Sequence, residues 1–165
     1  MSQLIQAFIN AVDSDGNIAR INIAQVTQIE GKCASEEYNQ NDDNRTIIRS
    51  TVKSWHTRET PEDIYKLICY AQDKQLQQLK NTRLVSLPLL RFNALARFHD
   101  EDNCVNYIPT DSIIRFDDEY ELVQIVTQHH GALSCTESIN ELTAAIESAE
   151  RAHITKLQKH TLGIR

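Results

Sequence analysis

Glycine and proline are scarce in this chain, four and three residues in 165. Long flexible linkers, which are rich in such residues, are therefore not expected. A glycine loop that cradles phosphate is missing as well. Ser, His and Asp all occur, but no nucleophile elbow or glycine-rich oxyanion loop accompanies them. A site assembled from distant residues would leave no such mark. The longest apolar runs fall far short of the ~18 residues that a membrane-crossing helix needs, so no membrane partner is expected. Basic charge is also short: 17 Lys and Arg stand against 23 Asp and Glu, a net charge of −6. That balance excludes a generally basic nucleic-acid surface and leaves room for a local patch. The four cysteines, Cys33, Cys69, Cys104 and Cys135, make neither a CxxC pair nor a zinc ribbon. With no signal peptide, they read as reduced thiols of a cytoplasmic protein.

What the chain does have is an internal repeat. Ile5–Glu30 lies over Phe92–Asp117 without a gap, at an offset of 87. Asp13-Ser-Asp-Gly-Asn17 falls on Asp100-Glu-Asp-Asn-Cys104, Ile21 on Ile108, Val26 on Ile113 and Ile29 on Phe116. Further on, an offset of 75 places Thr60 on Cys135, Ile64 on Ile139 and Leu67 on Leu142. The difference corresponds to a 12-residue insertion in the first copy, within the polar stretch Gly31–Arg45. That stretch has almost no apolar residues and reads as a surface loop. A lone module of this size buries little surface, so the copies are expected to pack together.

Each copy reads as three strands and a helix. In the first, Leu4–Val12 and Ile18–Glu30 flank an Asp-Gly hairpin turn. The alternation of Ile18–Glu30 breaks at Ala24–Gln25, which predicts a bulge or bend. Thr46–His56 is the third strand, and Thr60-Pro-Glu-Asp63 caps a helix ending near Lys80–Asn81. In the second, Leu89–His99, Cys104–Asp117 and Tyr120–Gln128 are strands, with a bend near Pro109. Ser134-Cys-Thr-Glu137 fits a capping box, opening a helix that runs to about His160. The expected fold is α+β: residues 1–81 and 89–165 form two β-β-β-α modules joined by 82–88, with antiparallel sheets and one covering helix each.

The pattern Ile108-x-x-x-x-Ile113-x-x-Phe116, then a strand, then Ser134–Leu142, resembles two families. One is the small flagellar group typified by FlbD and SwrD, to which Val26-Thr-Gln-Ile-Glu30 and Thr60-Pro-Glu-Asp-Ile64 are similar. The other is the first half of the LytTR DNA-binding domain, which Ile108-Pro-Thr-Asp-Ser-Ile113 and Ser134–Leu142 resemble. The basic second half that carries much of the LytTR contact with DNA has no counterpart, and neither resemblance transfers site residues.

No catalytic, cofactor-binding or metal site is expected. His99, Cys104 and His129-His130 are of zinc-ligating types, but the repeat places Val12, Asn17, Ser54 and Trp55 at those positions. Asp13-x-Asp15-Gly-Asn17 matches a fragment of a calcium loop whose twelfth position is Ala24 instead of glutamate. Two clusters are candidate partner-binding surfaces. Trp55, His56 and Arg58 combine residue types favoured at interfaces. Arg151, Lys156 and Lys159 make the end of the chain basic and complement a helix C-terminus. The expected function is a small non-catalytic binding or assembly protein that contacts a protein partner or itself, as a homodimer. The alternatives are a nucleic-acid-binding regulator and a small-ligand-binding protein with a pocket between the modules.

Overall fold

Asp13 and Asp100 open two turns built from the same hydrogen bonds. A computed structural model describes residues 7–32, 44–82, 94–119 and 121–161. In the first turn, Asp13 N donates to Asn17 O, and the Asp13 carboxylate accepts from the N–H groups of Asp15 and Asn17. In the second, Asp100 N donates to Cys104 O, and its carboxylate accepts from Asp102 and Cys104. Gly16 and Asn103 hold the left-handed position, at φ 83° and 61°. Each turn closes a hairpin: β1 (Phe8–Val12) with β2 (Ile18–Asn22), and β6 (Leu95–His99) with β7 (Val105–Pro109).

The expected long second strand breaks in each half. One 3-10 turn, Ile23–Gln25, separates β2 from β3 (Val26–Gly31); another, Thr110–Ser112, separates β7 from β8 (Ile113–Glu119). Asn22 caps the first by accepting from Ala24 N, and Pro109 holds the same place before the second. The expected third strands also need correction. Thr46–His56 folds back on itself as β4 (Thr46–Ser50) and β5 (Ser54–Thr57). In the second half β9 (Leu122–Thr127) is followed by a tenth strand, β10 (Gly131–Cys135). Both halves thus run through five strands before helix α1 (Pro61–Thr82) or α2 (Ile139–Thr161).

Ser134 and Cys135 therefore belong to a strand, and the helix cap lies four residues on. Ser138 Oγ accepts from Glu141 N, while Glu141 Oε2 accepts from Ser138 N at 2.8 Å. Thr60 does the same for α1, accepting from Asp63 N. The caps are Thr60 and Ser138, 78 residues apart, so the helices match at an offset of 78 rather than 75. The expected insertion and connection fall largely outside the described residues.

The fold class is α+β, with antiparallel sheets and two helices. Strand order is β5-β4-β3-β7-β6 in one sheet, β10-β9-β8 in a second and β1-β2 in a third. The second half's hairpin thus completes the first half's sheet, pairing Ile29 with Tyr107 and Glu30 with Asn106. Gly31 makes this join possible, because a Cβ there would collide with the Val105 carbonyl. One core gathers Ile9, Ala11, Ile21, Ile29, Ile48, Ile64 and Ile68 around α1, with Tyr107 from the second half. The other gathers Phe98, Ile108, Val123, Ile125, Cys135 and Leu142 against α2. The helices also touch: Lys156 Nζ lies 2.9 Å from Cys69 O and 3.1 Å from Asp73 Oδ1. The expectation of four reduced thiols fails at Cys104, which is disulfide-bonded, while Cys69 and Cys135 are free.

Candidate interaction surface

Trp55 and His56 point to opposite faces of β5, and Arg58 lies past the strand's end. Trp55 pairs with Ile48 and packs against the first core, with Lys53 Nζ 5.7 Å from its ring centre. His56 lies opposite Ile47 and is exposed. Arg58 is drawn to the β1–β2 hairpin, donating from N to Val12 O and from Nε to Asp13 O at 2.7 Å. The basic cluster divides in a similar way. Arg151 and Lys159 are exposed on α2, while the Lys156 side chain is 20% exposed and clamps the two helices.

The zinc-ligating types lie in separate settings. His99 Nδ1 is 2.6 Å from Glu137 Oε1, and the same carboxylate accepts from His99 N. Glu59 holds Val12 N in the corresponding way. His130 Nε2 sits 2.8 Å from Thr27 Oγ1 at the β3 bulge. Among the described residues no three His, Cys, Asp or Glu side chains converge. The Asp13 carboxylate is taken up by its own turn. Hydrogen bonds from the Asn17 side chain and backbone hold its carboxyl below the usual range. Burial and the Glu137 carboxylate push the Cys135 thiol up to about 11, which leaves it a poor nucleophile. Burial similarly raises Tyr65 to about 12 where it stacks on Tyr107, with ring centres 4.6 Å apart.

An open groove of about 330 Å³ runs between the β1–β2 hairpin and α1. Ala7, Phe8, Asn10, Arg20, Ala71, Lys74, Gln75 and Gln78 line it. It lies wholly in the first half, so it is not the expected pocket between modules. The Arg20 guanidinium lies 4.6 Å from the Phe8 ring centre and Lys74 Nζ 4.6 Å from that of Tyr70, so both cations already face aromatic rings.

Two strand edges form the surface that the residue patterns did not reveal. β3 takes β4 on one side and β7 on the other. Its counterpart in the second half, β8, has only β9 as a neighbour among the described residues. Likewise β7 takes β6 and β3, whereas its counterpart β2 has only β1 among the described residues. Among the described residues one join between the halves is made and its mirror is not. Apolar side chains lie bare beside the open edges: Ile18 is 69% exposed and Ile114 58%. β2 and β7 share the apolar positions Ile18/Val105 and Ile21/Ile108, and the differences in sequence include Tyr107 for Arg20, Asn106 for Ala19, and Gly31, which has Asp118 as its counterpart. Among the described residues no helix is long and apolar enough to cross a membrane. No family model, curated protein or solved structure matches the chain.

Proposed function

We propose that this protein is a non-catalytic binding and assembly protein that contacts its partner by strand addition at β2 and β8. The observation that carries this reading is the single join made among the described residues: β7 completes β3, while the corresponding edges of β2 and β8 have no described partner. A bare edge presents a row of N–H and C=O groups, and another strand satisfies them at little conformational cost. In this reading the chain is a duplicated module. The matching turns at Asp13 and Asp100, the two 3-10 turns and the bulges after Val26 and Ile113 favour that origin.

Immobilised protein should retain a defined partner, either its own chain or another. Charge reversal at β2, Arg20→Glu, should weaken capture by about tenfold, or about 1.4 kcal/mol. Capture untouched by Arg20→Glu and by Ile114→Lys on β8 removes the edges from the function. Salt-sensitive DNA binding that is lost on replacing Arg151 and Lys159 would favour the nucleic-acid reading instead.

The cytoplasm is the proposed location, and the Cys104 bond is the observation that strains it, since disulfides are rare there. Thiol titration of the denatured, unreduced protein should find two free thiols, because one disulfide consumes two of the four cysteines. Four thiols from protein isolated without reductant would remove the bond and with it the strain.

A further inference from the structure

We propose that the β1–β2 hairpin of one copy docks on β8 and the start of α2 of a second copy, reciprocally about a twofold axis. The proposal rests on the edge-pairing reading and names its partner.

The β6–β7 hairpin shows what such docking looks like. Its inner face, with Phe98 and Ile108, lies in the second core. Its outer face, with Leu95, Val105 and Tyr107, packs on the first core, where Tyr107 stacks on Tyr65 of α1. The hairpin is thus held between the helices. Among the described residues the β1–β2 hairpin buries one set of alternate side chains and leaves the other largely exposed. Ile9, Ala11 and Ile21 are buried against α1. Of the alternate side chains, Phe8 (37% exposed) and Arg20 (exposed) border the open groove beside α1, and Ile18 is 69% exposed. Phe8, Ile18 and Arg20 stand 87 residues before Leu95, Val105 and Tyr107, the three side chains that β6–β7 packs on the first core.

The receiving surface is bare as well. On α1, Pro61 is buried and Tyr65 half-buried beside the docked hairpin. At the offset of 78 their counterparts on α2 are Ile139 and Thr143, both exposed, Ile139 at 37%. A chain that carries both this hairpin face and its seat leaves the two uncovered. The hairpin is also tied down in its own chain. Ile23 N donates to Ala7 O and Arg58 N to Val12 O, so reaching β8 within one chain means breaking buried contacts. A second copy offers the seat without that cost, and a reciprocal contact uses both surfaces of each copy and then closes.

The existing join sets the register. Ile29–Tyr107 and Glu30–Asn106 translate to Phe116 opposite Arg20 and Asp117 opposite Ala19. Arg20 then faces an aromatic ring and has Asp118 as its diagonal neighbour, an opposite charge at cross-strand range. Asp118 stands where Gly31 admits the Val105 carbonyl. The ladder of the existing join already ends at Glu30–Asn106 with Gly31 beside it. With Asp118 in that place β2 must splay away from β8 directly beyond Ala19–Asp117, and Ile18 turns its side chain onto the seat.

Sedimentation at micromolar concentration should find a species of twice the 18.9 kDa chain mass. Arg20→Glu should raise its dissociation constant at least tenfold without lowering the melting temperature. Mixing the Ala19→Cys protein with the Asp117→Cys protein under mild oxidation should give a covalent heterodimer, and mixing Ala19→Cys with Asp111→Cys should not. A doubly substituted chain, Ala19→Cys with Asp117→Cys, that cross-links only within itself shows closure inside one chain and overturns the second copy. A monomeric wild type whose capture of another protein still falls with Arg20→Glu overturns the second copy and leaves the edges standing. A monomer indifferent to Arg20→Glu in both assays overturns both.

Discussion

Single side chains decide where α2 begins. The sequence contains two overlapping candidates, Ser134 with Glu137 and Ser138 with Glu141. Burial of Cys135 at 0% exposure selects between them, because β10 must run to that residue before the chain can turn. Ser138→Ala should cost about 1 kcal/mol, the usual loss on removing an N-cap, and Ser134→Ala clearly less, read as midpoints of denaturant unfolding. The reverse ranking would restore the upstream cap. Glu141 accepts two hydrogen bonds from Ser138, and these hold its carboxyl below the usual range. At His130, burial first and then Arg49 and His129 push the imidazole below its ordinary value, against a pull from Glu30. The folded state therefore holds His130 neutral where the unfolded chain begins to protonate it. Its contribution is full above about pH 6.5, the unfolded value, and is lost as pH falls from there through the folded value. His130→Gln should flatten the stability profile in that acid window, and an NMR midpoint at or above the free-histidine value would contradict the shift.

At the scale of elements, local chemistry was readable and pairing was not. The turns at Asp13 and Asp100 could be aligned by eye, because an aspartate, its neighbours' N–H groups and a left-handed fourth position are all within five residues. The bend expected at Ala24–Gln25 is present, but as the 3-10 turn Ile23–Gln25, which divides one apolar run into two strands in different sheets. Apolar spacing cannot show that division, since Ile21 and Ile29 are buried in the same core on either side of it. Nor could it show that β7 leaves its own half, since β2 shares the apolar positions Ile18/Val105 and Ile21/Ile108, although Tyr107 in place of Arg20 already fits a buried seat. Gly31 is the mark of the crossing. Gly31→Ala should cost about 1–3 kcal/mol, as overpacking a close contact does, because the obstructing atom is a backbone carbonyl. Asp118→Ala, at the matching exposed position, should stay within about 0.5 kcal/mol. Equal effects at the two sites would mean that the β3–β7 approach is not tight.

The whole molecule is two halves that cannot be cut apart at the sequence boundary between them. Tyr107 lies in the first core, β7 fills the first half's sheet, and Lys156 ties α2 to α1. Heating should therefore give one cooperative transition with matching calorimetric and van't Hoff enthalpies. A fragment of residues 1–82 should lack a sharp transition, while residues 1–109, which add β6 and β7, should regain part of it. A fully stable 1–82 fragment would show that the crossing is decoration. The same crossing governs the order of events on the ribosome. The chain emerges from its first residue onward, so α1 is complete while β3 still waits for a strand made later. Until Val105–Pro109 emerges, every nascent chain displays the edge that the finished protein hides. Neighbouring nascent chains on one message would meet through that edge, so translation spacing and early chaperone cover, rather than final stability, would set the yield of folded protein.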